Sequence, residues 1–234
     1  MWNGKKKAVT FSFDDGVLQD IRLIEILNKY GLKATFNLNS GLASQSQRWN
    51  YNGVDVVPID AEDIPAVYKN HEVAVHTLTH PNLTQLDEQE IIRQVEEDRM
   101  NLSRMVGYEV VGMAYPCGGV NNDERVAKII REKTGVQYAR TITSTYNFML
   151  QKNLLRFNPS VYYTEKRLDE IIDSFLTVER SEPQLLYIWG HSYEMDAGDI
   201  TWEHFEEICK RISNQEEIFY GTNKEILLKN NIKR

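Results

Sequence analysis

Short apolar segments alternate with amphipathic helical ones along almost the whole chain, and this alternation limits the fold more than any other feature of the sequence. Residues 8–13 place Val9, Phe11 and Phe13 on one face of a strand before Asp-Asp-Gly ends the run. Residues 18–30 carry apolar side chains at Leu18, Ile21, Ile24 and Leu27 and stop at Gly31, as a helix with a glycine C-terminal signal does. Residues 34–38 and 72–75 read as further strands, followed by a helix over 84–105 that starts with a Thr84-x-x-Asp87 cap and ends near Gly107. Strands are also expected at 110–115, 136–141, 185–189 and 217–220, with helices over 123–133, 165–178 and 201–212. Thr222-Asn-Lys-Glu225 is a capping box that opens a C-terminal helix. Strands alternating with helices build a mostly parallel sheet, so the fold class is α/β. Seven strands suggest closure into a barrel, with an open doubly wound sheet as the alternative.

At 234 residues the chain falls within the range of one such domain, spanning 1–234. Its 27 basic and 34 acidic residues leave a net charge of −7, which argues against a nucleic-acid footprint; Lys5-Lys6-Lys7 is too short to alter that. No protein partner is indicated. No stretch approaches the ~20 apolar residues of a membrane span, and the opening residues lack the apolar region of a leader. A cytoplasmic protein is therefore expected, with Cys117 and Cys209 reduced. Residues 40–59 form a long polar connection, placed at a substrate rim, where Trp49 and Tyr51 either stack on the rings of a ligand or plug a hydrophobic gap.

Two carboxylates, Asp14 and Asp15, stand side by side where a buried strand gives way to a turn. Adjacent carboxylates repel unless a cation intervenes, in which case one ligates it and the other remains a base. An Asp-Gly turn or a helix cap is the plain alternative. A second strand ends in His76-Thr-Leu-Thr-His80, whose i, i+4 spacing brings two imidazoles to one side of a helical turn. A third delivers His191 at the same edge, the edge where parallel sheets build their sites. Beside a metal site, His191 suits proton transfer. His71 and His204 lie in polar surroundings and are read as partnerless surface residues.

The segment Phe11-Ser-Phe-Asp14-Asp15-Gly16, followed by His76-Thr-Leu-Thr-His80 and a late His191, resembles the polysaccharide deacetylase family over some four-fifths of the chain. That resemblance implies a distorted (β/α)7 barrel and a divalent ion, Zn2+ above others, held by Asp15, His76 and His80. It also implies Asp14 as general base, His191 as general acid and an acetylated sugar or oligosaccharide as substrate. Two departures stand out. The family's Arg-x-Pro-Tyr-Gly-like motif is replaced by Ala114-Tyr115-Pro116-Cys117-Gly118, so Tyr115, Pro116 and Cys117 line the oxyanion side, with the Cys117 N–H as donor. The family's Asp-with-Trp motif is not evident; in its place Arg140 sits at a strand end, either as the cation beside Asp14 or as a surface arginine. Tyr115, Tyr146, Trp189 and Tyr193 either line the sugar pocket or fill the core. Competing readings keep the site but hydrolyse a cyclic imide, keep the fold without catalysis as a carbohydrate-binding protein, or use Cys117 with His191 as a cysteine hydrolase.

Overall fold

The computed structural model describes residues 1–228; the last six positions of the expected 1–234 span lie outside the described residues. Strand β1 (Lys7–Asp14) is buried along all but its first residue, as a central parallel strand must be. It pairs in parallel with β9 (Gln184–Gly190) along one edge. The opposite edge is shared, β10 (Ile218–Tyr220) taking its first half and β2 (Ala34–Leu38) its second. From β2 the parallel sheet continues through β5 (Glu72–Val75), β6 (Gly112–Ala114) and β7 (Tyr138–Arg140).

One short strand that hydrophobic patterning does not reveal, β8 (Val161–Tyr162), pairs with β9. The residue before this stretch that closes the circuit is Phe157, which bridges in parallel to Arg140 of β7. The sheet therefore curls until its far edge returns to β9, giving a distorted (β/α)7 barrel rather than an open doubly wound sheet.

Helices α1 (Gln19–Lys29), α5 (Glu124–Lys133), α6 (Leu168–Thr177) and α8 (Trp202–Ile212) pack around the sheet. Phe205 of α8 meets the rings of Phe11 and Phe13 edge-on at 6.0 and 5.9 Å. The buried face of α1 is Leu23, Ile24, Ile26 and Leu27, so Leu18 and Ile21 of the expected stripe are left exposed. The helix expected over 84–105 also starts later. Thr84 lies in a 3-10 turn, and Asp87 caps α3 (Glu88–Ile92) by accepting the Glu90 N–H at 2.9 Å. A π-helical segment (Arg93–Glu97) then leads into α4 (Asp98–Val106), which ends at Gly107 in the left-handed region. Thr222 and Glu225 form the expected capping box at α9 (Asn223–Leu227).

Within the connection over residues 40–59, β3 (Trp49–Tyr51) and β4 (Val54–Val56) form an antiparallel hairpin, followed by the single turn of α2 (Ile64–Val67). Among the described residues no helix is long and apolar enough to cross a membrane. Cys117 and Cys209 are both free thiols.

Candidate metal and catalytic site

The strands β1, β5, β6, β7 and β9 end at one rim, and each delivers a group to it. Asp14 closes β1, and Asp15 follows in a left-handed turn with φ 79°, continued by Gly16 at φ 66°. A side chain in that region is strained by ~1–2 kcal/mol. The strain is held by Asp15 N–H donating to Asn37 O and Ile59 N–H donating to Gly16 O. At Gly16 a Cβ would meet Leu38 Cδ2 at 2.7 Å, so glycine is needed there for space as well as for φ.

His76 follows β5, but the five residues from His76 to His80 are not a helical turn. Thr77 and His80 both have positive φ, at 70° and 60°, and the chain reverses irregularly between them. The two imidazoles nevertheless converge, with centroids 4.9 Å apart. The shape of this loop comes from the π-helical segment. Gln94 O accepts from Leu78 N–H at 2.8 Å, its Oε1 accepts from Thr79 N–H at 2.9 Å, and its Nε2 donates to Thr79 Oγ1 at 2.8 Å. A π-bulge places backbone and side chain of one residue where a regular helix would not.

His76 Nε2 and His80 Nε2 lie 3.7 and 3.6 Å from Asp15 Oδ1, and one ligand atom from each of the three residues falls within 4.8 Å of the others. Tetrahedral coordination at ~2.0–2.1 Å separates ligand atoms by roughly 3.3 Å, so the triangle suits one ion with little adjustment. His76 Nδ1 sits 3.0 Å from Ala114 O, which fixes the tautomer that turns a bare Nε2 to the centre. Burial pushes His76 down to about 4, leaving the neutral imidazole that a cation needs. Tyr193 donates its hydroxyl to Asp15 Oδ2 at 3.2 Å.

Asp14 faces the same cleft. Burial alone would raise its carboxyl, but the charges of Arg140, His76 and His191 prevail and hold it below the usual carboxylate range. Arg140 is fully buried, not a surface residue, and its Nη2 lies 2.5 Å from both Asp14 oxygens. Its Nε donates to Ser12 Oγ at 3.1 Å, its Nη1 to Thr141 O at 3.1 Å, and its plane rests 4.4 Å from the Trp189 ring centroid. Asn37 adds a hydrogen bond to Asp14 Oδ1 at 2.8 Å.

His191, just after β9, turns Nε2 toward Asp14 Oδ2 at 4.0 Å, with Nδ1 3.2 Å from Glu194 Oε1. Burial works against its charge, but Glu194, Asp15 and Asp14 outweigh it and push the imidazole up to about 9. Glu194, which opens the single turn of α7 (Glu194–Ala197) and which no sequence motif singles out, also accepts the His191 N–H at 3.2 Å and binds the Tyr162 hydroxyl. An acid three residues beyond a histidine is a common pattern, so only its burial marks it out. Asn121 was also missed. Its Nδ2 donates to the carbonyls of Tyr115, Pro116 and Cys117 at 3.3, 3.0 and 2.8 Å, pinning the turn in which Cys117 adopts φ 68°.

The sequence candidates divide accordingly. Asp14, Asp15, His76, His80, Tyr115, Cys117, Trp189, His191 and Tyr193 line one cavity of about 220 Å³. A neighbouring cavity of about 280 Å³ shares Asp15, His80 and Tyr193 and adds Trp49. Pro116 is buried behind its turn. Tyr115 is fully buried, its hydroxyl donating to Leu155 O at 2.7 Å, and Trp189 packs on Arg140, so neither offers a face for a sugar. Tyr146 is exposed but binds Glu165 away from these cavities. Cys117 Sγ lies 3.4 Å from His80 O, and burial raises its thiol, the opposite of an activated nucleophile. His71 and His204 are not partnerless surface residues. His71 is buried and accepts from Ala34 N–H, whereas His204 pairs with Asp169 at 2.9 Å.

Residues 2–139, more than half of the chain, match the polysaccharide deacetylase family, and the chain belongs to it. A bifunctional xylanase/deacetylase of Pseudobutyrivibrio xylanivorans is 28% identical over 123 residues, which are 50% of this chain and only 18% of that protein. The Xyl-CE4 domain of a multidomain xylanase, from the hindgut metagenome of Trinervitermes trinervoides, superposes with a TM-score of 0.61 at 16% identity. That match covers 97% of this chain and 92% of the other. A mutant of BA3943, a CE4 family pseudoenzyme, superposes with a TM-score of 0.60 at 21% identity, covering 96% and 68%. At such identities these structures show a shared fold.

Proposed function

We propose that this protein is a metal-dependent deacetylase that removes an N-acetyl or O-acetyl group from an amino sugar, an oligosaccharide or a glycan precursor. One observation carries the reading: a single cleft holds the Asp15–His76–His80 triangle, Asp14 buried against Arg140, and His191 beside Glu194. A pseudoenzyme shares the fold, so the fold alone does not carry activity; the complete set of groups does.

The triangle would hold a divalent ion, and two nitrogens with one carboxylate oxygen suit Zn2+ best. When bound, such an ion supplies a Lewis acid that polarises a carbonyl and eases proton loss from water. Asp14, kept ionised by Arg140, takes the proton of the attacking water. As the carbonyl carbon becomes tetrahedral, the Cys117 N–H donates to its oxygen from a turn that Asn121 pins. His191 then protonates the departing nitrogen or oxygen, since an amide anion does not leave unprotonated. Trp49, at the rim of the second cavity, offers an exposed indole for a sugar ring. Residues 1–228 supply all these groups as one catalytic domain.

The test is acetate release from N-acetylglucosamine oligomers and acetylated xylooligosaccharides, with a cyclic imide panel alongside, before and after chelation and Zn2+ return. Release from a sugar, lost on chelation and regained with metal, is expected. Turnover of imides alone, or sugar binding with no release of acetate, would refute the proposal. His76→Ala should lose the ion, whereas Asp14→Ala and His191→Ala should retain it and lose about a hundredfold or more in kcat.

A further inference from the structure

Asp20 has no part in the chemistry above, yet it is fully buried in the first turn of α1. Its two oxygens collect three donors from three separate segments. Oδ1 accepts from the Ser192 hydroxyl at 2.6 Å; Oδ2 accepts from the Tyr68 hydroxyl at 2.7 Å and from Val17 N–H at 3.2 Å. Burial pushes the Asp20 carboxyl up to about 7 even against these bonds, and three hydrogen bonds converging on one buried group form a directional junction.

What this junction joins is the open end of the site. The ladder between β1 and β9 stops at Phe13 and Gly190. Beyond it Asp14 still pairs with Asn37 of β2, and Asp15 bonds the same residue, but neither has a backbone pairing to the segment carrying His191. Val17 closes the first segment and Ser192 belongs to the second, and Asp20 grips both from beneath. We infer that Asp20 is a positioning residue that locks the Asp15 turn and the His191 loop into one geometry, through Val17 and Ser192. The role assigned to His191 rests on the deacetylase reading; the effect on the Asp15 turn does not.

Three variants separate the branches. Ser192→Ala cuts only the link to His191, Tyr68→Phe only the link to the chain after α2, and Asp20→Ala removes all three, the one to Val17 N–H included. Each is measured for kcat, KM, Tm and, without substrate, Zn2+ affinity by chelator competition. Ser192→Ala should lower kcat about tenfold or more, with KM and Zn2+ affinity unchanged, because a displaced proton donor costs rate and not binding. Tyr68→Phe should lower Tm while kcat stays at the wild-type value. Asp20→Ala should lower kcat and weaken Zn2+ binding about tenfold, as loss of a group behind a ligand does. Wild-type kcat in Ser192→Ala, or kcat losses that merely track Tm across all three, would overturn the inference. If the wild type releases acetate from no substrate, the deacetylase reading fails by itself. The comparison of Zn2+ affinity between Asp20→Ala and Tyr68→Phe then still decides, and equal affinities overturn the lock.

Discussion

Arg140→Met keeps the apolar stem of the side chain and removes the charged guanidinium from a place where nothing replaces it. Arg140 is fully buried and Asp14 is 2% exposed, with Nη2 at 2.5 Å from both carboxylate oxygens. Removing one partner of a buried ion pair strands the other, at a cost of about 3–5 kcal/mol. Asn37 still donates to Asp14 Oδ1 at 2.8 Å, which places the expected loss near the lower end, about 3 kcal/mol. The loss depends on pH. In the wild type the carboxyl lies below its ordinary value of 3.8, so its contribution is present above 3.8 and lost as pH falls through the depressed value. In the variant, burial without the guanidinium raises the carboxyl. The deficit against wild type should then grow as pH climbs from about 4 and shrink toward acid. Urea unfolding of chelated protein at pH 5 and pH 8 reads this directly, and the acid limb of kcat/KM should move upward. A deficit below about 1 kcal/mol, equal at both pH values and with an unchanged rate profile, would refute the argument.

Glu194→Gln removes the largest upward push on His191, so the alkaline limb of kcat should move down from about 9; an unmoved limb would rule out the pairing. The same pair makes a second signature. His191's charge stabilises the fold fully below its ordinary 6.5 and loses that effect as pH rises through about 9, so wild-type Tm should fall across that window and the variant's should not. Asn121→Ala releases three carbonyls of the Cys117 turn; kcat should drop about tenfold or more with metal content intact, and a wild-type kcat would remove Asn121 from the site.

Much of this protein is written in short stretches of sequence. A buried parallel strand must be apolar over four to eight residues and a helix must show its stripe, so the order of the longer elements and the α/β class follow from local pattern, whereas the short β3, β4, α2 and β8 do not. Two groups of the site are local in the same sense: Asp14 and Asp15 share one turn, and His76 and His80 share one loop. Their meeting at a common rim follows because parallel strands all end on one side. The spacing of the histidines, however, suggested a helical turn, whereas the actual path is a reversal through two left-handed residues, shaped by Gln94 from a neighbouring helix.

What tertiary structure alone decides depends on partners far apart in the chain. Two-residue β8 is too short to carry a period, and only the circuit from Phe157 to β9 shows that the sheet curls round on itself. Arg140 reads equally as a surface residue until the fold brings it to Asp14, 126 positions away, and buries both. The ionisation of Asp14 and the neutrality of His76 are likewise set by burial and by neighbours from other strands, and the charge of His191 by Glu194 three residues on together with Asp15 and Asp14. Sequence pattern fixes which side chains face inward, but a pKa or a coordination triangle depends on distances that exist only once the strands have packed.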